Sequence, residues 1–498
     1  MTARFTRRFV LAGLGAATFG GAAWAGAPEV SLRPQLRGEG FRARAAGGIE
    51  ALVAGAGLSG AVVCAVADVA SGLRLETLGE SVGMPPASVA KALTALYALD
   101  TLGPDHRFAT RLMATGPIEN GILTGDLILA GGGDPTLGTD DLAALAAALK
   151  ATGLREVRGE FVVWDGALPR VQSIDPEQPE HVGYSPALSG IALNFNRVRF
   201  QWQPSGKGYA VSMDALSAKY RPAVEMARMQ VIDRSLPVYT YADAGGTDDW
   251  TVARGALGKG GERWLPVRKP GLYAGDVFAT MARAHGIVLT PAKVSQDLPA
   301  GARELARHES EELQEILRDM LKYSTNLTAE MVGLSASAAR GPMPSSLKVS
   351  AARMSLWAAK TFGMTGTLMV DHSGLGDASR MTAGDLVGAL VQVRQGGALR
   401  PLLKPFVLRN GKGQPDKAHP IEVAAKTGTL NFVSGLGGFM TATDGTELAF
   451  AIFAADETRR ARIPPDERER PPGARAWNGQ AKKLQQQLIE RWGTIYGS

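Results

Sequence analysis

Three short strings whose side chains can do acyl chemistry lie in order along this chain: Ser88-Val89-Ala90-Lys91, Ser324-Thr325-Asn326 and Lys426-Thr427-Gly428. A serine hydroxyl is a weak nucleophile until a neighbouring base takes its proton. Lys91 stands three positions after Ser88, on the same side of a helical turn. It is a base only when neutral, and a free lysine titrates near ~10.4. Burial and a second cation both lower that value, and Lys426 is the candidate second cation. Ser324 can relay a proton to a leaving amine, and Asn326 can bond a substrate amide. Lys426, Thr427 and Thr429 make a cationic, hydroxyl-rich cradle suited to a carboxylate. Gly428 leaves a gap where a substrate backbone could approach the strand. The backbone N–H groups of Ser88 and Thr429 could form an oxyanion hole. Read singly, each string has a plain structural meaning: a helix start with a surface lysine, a helix cap, an exposed strand end. A second S-x-x-K, Ser345 to Lys348, follows the S-x-N string and is preceded by Pro342 and Pro344, so it is out of order.

The elements that must position these groups follow from periodicity. Val89, Leu93, Leu96 and Leu99 have helical spacing, and Gly103-Pro104 stops the helix. Ser88 therefore lies in a first turn, where free N–H groups and the helix dipole favour developing negative charge. Ser324 to Asn326 falls between an amphipathic helix, Leu313 to Leu321, and a second one starting near Thr328. Ile421, Val423 and Ala424 lead a strand into Lys426. The stretches near 439–453 and 61–78 read as hairpins with turns at Thr443-Asp444-Gly445 and Ser71-Gly72. One antiparallel sheet assembled from both ends of the chain is expected, with helices on both faces. The final helix, about Ala474 to Tyr496, aligns Trp477, Leu484, Leu488 and Trp492 on one stripe for packing on that sheet, or for lying on a membrane surface. Between 105 and 300 the pattern changes to short strands with Gly and Pro turns, broken by an alanine-rich helix, Asp140 to Lys150. Glu457 to Gly473 reads as a Pro- and charge-rich loop.

Taken together, these strings resemble the motif set of penicillin-binding proteins and serine β-lactamases. More specifically, the chain resembles the D-alanyl-D-alanine carboxypeptidase/endopeptidase family, the type-4, class C low-molecular-mass penicillin-binding proteins. The first two motifs are 236 residues apart (324 minus 88). Single-domain β-lactamases have far less there, whereas this family carries inserted domains. Gly125-Asp126-Leu127 with Gly133 to Leu137, Asp371 to Leu375, and Ala425 to Leu430 match further family strings. The resemblance implies an α+β fold: a transpeptidase-type domain with a large two-part β-rich insert. The implied division is 26–104 plus 301–498 for the catalytic domain, 105–138 plus 211–300 for one inserted domain, and 139–210 for a second nested in it. It implies catalytic Ser88, Lys91 and Ser324, and substrate contacts from Asn326, Lys426, Thr427, Gly428 and Thr429. It implies peptidoglycan stem peptides as substrate, β-lactams as covalent inhibitors, and no cofactor. Two positions depart from the family pattern. Thr325 stands where aspartate is usual. Asn194, in Ile191 to Asn196, matches the place of an insert carboxylate that binds the free amine of diaminopimelate, and it is uncharged. A catalytically inactive wall-binding scaffold is the alternative that Thr325 keeps open, and a β-lactamase is a further one.

Length and composition bound the rest. The 498 residues suggest about two to four domains with ample core. The formal charge is +6, or +3 without Arg4, Arg7 and Arg8 of the leader, too mild to suggest nucleic acid. Thr6-Arg7-Arg8-Phe9 opens a weakly apolar stretch ending at Ala23-Trp24-Ala25. Residues 1–25 thus read as a twin-arginine export signal, which implies a periplasmic protein with at most peripheral membrane association. Cys64 is the single cysteine, so no intrachain disulfide forms. The six histidines show no metal-binding spacing, and no G-x-S-x-G occurs.

Overall fold

A computed structural model describes residues 47–497. The expected leader, 1–25, lies outside the described residues. After a short helix α1 (Ile49–Gly55) come β1 (Ala61–Asp68) and β2 (Arg74–Leu78). The hairpin turn closes where Asp68 accepts from the Ser71 N–H at 3.0 Å. A single helical turn at Ala87–Val89 then runs into α2 (Ala90–Leu102), which ends at Gly103, φ 84°.

The insert follows. Its strands β3 (Ala109–Ala114) and β4 (Leu127–Gly131) precede helix α3 (Thr139–Ala151) and β5 (Phe161–Trp164). Then come β6 (Arg197–Ser205), β7 (Gly208–Asp214), β8 (Ala227–Ile232), β9 (Tyr239–Asp243), β10 (Asp248–Ala253) and β11 (Gly261–Pro266). Helix α4 (Pro270–Ala284), β12 (Lys293–Ser295) and β13 (Arg303–Glu309) complete it. One sheet has the order β12-β5-β4-β3-β13, and two three-stranded sheets have the orders β7-β6-β11 and β8-β10-β9. The expected nested division at 139–210 does not follow these ladders. β5 pairs in parallel with β4, and β6 pairs with β11 beyond position 260. β13 pairs with β3, so the insert's sheet extends past the expected boundary at 300. A large apolar core, including Leu129, Phe161, Phe200, Trp250 and Phe278, joins these sheets and helices, with Met113, Ile128 and Ala130 forming a smaller cluster of their own.

The chain then supplies four helices, α5 (Leu313–Tyr323), α6 (Asn326–Ala339), α7 (Leu347–Phe362) and α8 (Ala383–Gly396). It ends with β14 (Glu422–Leu430), β15 (Val433–Thr441), β16 (Glu447–Ala455) and helix α9 (Ala474–Tyr496). The main sheet is antiparallel in the order β14-β15-β16-β1-β2, joining both ends of the chain as expected. Strand alternation sends Val63, Ala65 and Phe453 toward α2 and α5 to α8, and Cys64, Val66 and Ile452 toward α1 and α9. Burial pushes the Cys64 thiol up to about 12, so it is inert core. On α9, Trp477, Leu484, Leu488 and Trp492 are all buried. Each such side chain contributes about 1.5–3 kcal/mol by leaving water, so this helix is part of the sheet's core and not a free membrane-surface helix. Among the described residues no helix is long and apolar enough to cross a membrane.

Candidate active site

Ser88 sits in the turn ahead of α2, partly exposed, between buried neighbours. Ala87 before it holds φ 45°, a conformation that side-chain-bearing residues rarely adopt. Two glycines clamp this turn. A Cβ on Gly374 would lie 1.9 Å from the Ala87 carbonyl oxygen. A Cβ on Gly428 would lie 2.7 Å from the Pro86 carbonyl oxygen and 3.0 Å from the Ser88 nitrogen. The gap at Gly428, read from sequence as room for a substrate, is therefore filled by the serine turn itself.

Lys91 Nζ lies one helical turn on and donates to Ser88 Oγ at 2.9 Å, Asn326 Oδ1 at 2.8 Å and the Ser373 carbonyl at 2.8 Å. Asn326, at the start of α6, in turn donates to the Tyr184 carbonyl of the insert at 3.0 Å. Ser324 ends α5 with φ 61°, and that left-handed turn aims its hydroxyl at Lys426 Nζ, 2.9 Å away. Lys426 also donates to the Thr427 carbonyl at 2.8 Å. Lys91 and Lys426 are 0% and 2% exposed, so both amines are withdrawn from solvent. Burial first, and then the Lys426 charge, pull Lys91 down to about 7, against the pull of Glu330 and Asp371. Burial and Lys404 pull Lys426 down to about 8.

Behind this pair stand two carboxylates that the sequence reading assigned no role. Glu330, inside α6, accepts from the His372 N–H at 2.9 Å and the Ser373 N–H at 2.8 Å. Asp371 accepts from the Gly374 N–H at 2.9 Å and the Gly376 N–H at 2.6 Å. Both are buried, and burial raises both. They hold the 371–376 loop whose Ser373 carbonyl receives Lys91 and whose Gly374 presses on the serine turn. The signal for Glu330 was present in the sequence. A lone carboxylate sits in the otherwise apolar run Leu327 to Leu334, and an acid there needs a partner.

On β14 the odd-numbered residues turn their backbone groups outward. The Phe406 N–H donates to Val423, and the Ala425 N–H donates to Lys404. Beyond 425 no strand covers this edge among the described residues, and the same alternation aims the Thr429 N–H into the cleft. The side chains alternate too. Val423 and Ala425 pack toward α9, while Ala424 and Leu430 pack toward the α2 side. Thr427 and Thr429 hence project on the face opposite Lys426. Thr429 still reaches the cleft around the strand's edge, whereas Thr427 does not line it.

The cleft encloses about 360 Å³ and brings together Ser88, Ser324, Asn326 and Thr429. Its outer wall is the 457–473 segment, tied to the insert by Glu469; expected as a loop, it contains a short helix, Glu457–Ala461, started by Asp456 accepting from the Arg459 N–H. Glu469 lies 2.7 Å from His181 Nε2 and 3.0 Å from Arg263 Nη2. His181 foremost, and then Arg263, hold it down to about 2. Thr325, the departure in the second motif, stands at the N-cap position of α6 without a side-chain cap bond and is not among the lining residues. Asn194 is not brought to the site. Its amide donates to Thr139 Oγ1 at 2.9 Å and Tyr273 Oη at 3.3 Å, inside the insert. The second S-x-x-K is a helix start, where Ser346 accepts from the Val349 N–H at 3.2 Å. Among the described residues no His, Cys, Asp and Glu group is placed to hold a metal ion.

Residues 45–470 match the model of the D-Ala-D-Ala carboxypeptidase 3 (S13) family. A D-alanyl-D-alanine carboxypeptidase of Actinomadura sp. (strain R39) is 30% identical over 443 residues, which cover 81% of this chain and 79% of that protein. The D-alanyl-D-alanine carboxypeptidase DacB of Haemophilus influenzae is 24% identical, covering 74% of this chain and 80% of that one. The crystal structure of penicillin binding protein 4 from Haemophilus influenzae superposes with TM-score 0.69 at 20% identity, covering 89% of this chain and 99% of that one.

Proposed function

The chain belongs to the D-Ala-D-Ala carboxypeptidase 3 (S13) family, and on that premise we propose how its cleft works. Ser88 Oγ attacks the carbonyl carbon of the penultimate D-alanine of a peptidoglycan stem peptide. Neutral Lys91 takes the hydroxyl proton. The oxyanion is held by the backbone N–H groups of Ser88 and Thr429, donors of the kind whose single removal costs about 100- to 1000-fold. Asn326 orients the substrate amide. The C–N bond breaks as Ser324 gives its proton to the leaving amine and takes another from Lys426, so the proton gained by Lys91 balances the one lost by Lys426 until both re-equilibrate with solvent. Water then attacks the acyl-enzyme ester, releasing the shortened peptide and restoring the Ser88 hydroxyl. Protonated Lys426 and the Thr429 hydroxyl receive the substrate's terminal carboxylate. A β-lactam follows the same first step and remains as the ester.

The observation that carries this reading is Lys91. Its amine is 2.9 Å from Ser88 Oγ and is drawn down to about 7, so near neutral pH a large fraction is an unprotonated base in contact with the nucleophile. Residues 1–25, read from the sequence as an export signal, support action in the periplasm, on the cell wall. The test is covalent labelling with fluorescent penicillin, followed by mass spectrometry of muropeptides after incubation. An adduct on Ser88 and loss of terminal D-alanine from pentapeptides are expected. No adduct and unchanged muropeptides would leave a wall-binding scaffold in its place, and rapid turnover of nitrocefin would point to a β-lactamase.

A further inference from the structure

The Ser88 cleft has a neighbour. A groove of about 780 Å³ runs between the free edge of β14, the 406–413 loop and helix α9. Thr429 lines both spaces, so they are two arms meeting beside the nucleophile. The first arm leads to the insert, at Tyr184 and Gln178. The second leads away from it, past Thr427, to Arg409, Lys482 and Lys483, with Glu490 as its single acid. Both lysines are exposed, and among the described residues neither has an ion-pair partner. Arg409 donates to the Gly413 carbonyl at 2.6 Å and has no carboxylate partner there either. Glu490 accepts from Gln486 at 2.6 Å.

A carboxypeptidase that expels one D-alanine has no use for this second arm. Its leaving group is a single amino acid, whereas the groove has the volume typical of a site for a ligand many times larger, about 300–1,000 Å³. Uncompensated cations on both the loop and the helix wall select an anion. We propose that this groove is the binding site for the leaving stem peptide of a cross-linked peptidoglycan dimer, whose free carboxylates pair with Arg409, Lys482 and Lys483. The proposal rests on the Ser88 cleft being the D,D-peptidase site. The bond made is Ser88 Oγ to the D-alanyl carbon. The bond broken joins that carbon to the amine of the second stem, which departs with the relayed proton and occupies the groove until release. The groove thus separates the residues that recognise a cross-linked dimer from those that recognise terminal D-alanine.

The test uses the mature chain with Lys482→Glu/Lys483→Glu and, separately, Arg409→Glu. Both are surface changes, and thermal denaturation checks the fold. Three rates are compared: cleavage of a purified cross-linked muropeptide dimer, D-alanine release from a tripeptide ending in D-Ala–D-Ala, and penicillin acylation. Reversing two charges should lower kcat/KM on the dimer by about tenfold or more, mainly through KM. The other two rates should stay within about twofold. Added salt should weaken dimer cleavage by the unaltered protein and not by the double variant. Equal losses on dimer and tripeptide would overturn the proposal, as would no loss on the dimer. Weaker retention on whole cell walls with unchanged dimer kinetics would assign the lysines to wall attachment instead, which also overturns it. If the unaltered protein forms no penicillin adduct, the cleft reading itself has failed. If it forms the adduct and releases D-alanine but never cuts the dimer, only the groove proposal has failed.

Discussion

Gly428→Ala tests the contact on which the serine's position depends. The new methyl would lie 2.7 Å from the Pro86 carbonyl oxygen, 3.0 Å from Ala87 Cβ and 3.0 Å from the Ser88 nitrogen. Comfortable non-bonded contact begins near ~3.5 Å, so the strand and the serine turn must separate by roughly half an ångström or more. All three atoms belong to the turn, whose own path is fixed from behind by Gly374, so no long side chain can swing aside. Separation moves the Ser88 N–H and the Thr429 N–H apart, along with the nucleophile. Misplacements of about 1 Å can cost about 100-fold, and overpacking a tight site typically costs about 1–3 kcal/mol in stability. We expect the penicillin acylation rate to fall about 10- to 100-fold with a modest drop in Tm. Stopped-flow acylation over a range of penicillin concentrations separates the binding and chemical steps. If Gly428 merely made room for substrate, apparent affinity would fall and the limiting rate would hold. An unchanged limiting rate with weaker binding would refute the clamp and restore the sequence-based reading of that glycine.

Lys91→Ala should cut acylation by about 100- to 10,000-fold, the usual range for a general base, and normal acylation in a folded variant would show that another group takes the proton. The pH dependence of acylation should be bell-shaped. Activity rises as Lys91 loses its proton through about 7 and falls as Lys426 loses its own through about 8, and a profile flat from pH 6 to 9 would contradict both assignments. Thr429→Val keeps the outward N–H and removes the hydroxyl. It should therefore weaken turnover of a tripeptide ending in D-Ala–D-Ala more than turnover of its C-terminal amide, and equal fractional losses in steady-state kinetics would place Thr429 outside carboxylate recognition.

What the sequence made legible was local. The 474–496 helix, the two hairpins and the Ser88 turn follow from apolar spacing and turn residues, and each appears where that spacing put it. The meeting of Ser88, Lys91, Ser324, Asn326 and Lys426 was readable because three spaced strings of matching chemistry lie in order. What stayed hidden was long-range. The pairing of 109–114 with 303–309 and of 127–131 with 161–164 decides where the insert divides, and nothing in those short apolar runs names a partner. The role of Gly428 depends on the Pro86 to Ser88 segment, about which a strand pattern is silent. Asn194 aligned with a binding position, yet its amide is spent inside the insert on Thr139 and Tyr273. For Thr427 the placement away from the cleft was legible. Strict alternation along Val423, Ala425, Thr427 and Thr429 already sets its side chain on the face opposite Lys426, and only Thr429 is far enough along the free edge to line the cleft.

The two buried acids explain how a lysine can be a base here without ceasing to be a useful one. A general base is most effective when its pKa lies near the working pH. Burial and the Lys426 charge both push Lys91 downward, and acting alone they would leave a weak base with little hold on the serine proton. Glu330 and Asp371, in their ionised form, push it back up without touching the cleft, because each is committed to backbone N–H groups of the 371–376 loop. The same loop supplies the Ser373 carbonyl that fixes Lys91 and the Gly374 backbone that presses on Ala87. Charge and geometry are therefore set by one element. The acids cannot be moved to retune the base without also releasing the turn that aims the nucleophile. This gives a physical reason for two costly buried carboxylates in the core of the catalytic half, where apolar residues would otherwise pack at lower cost.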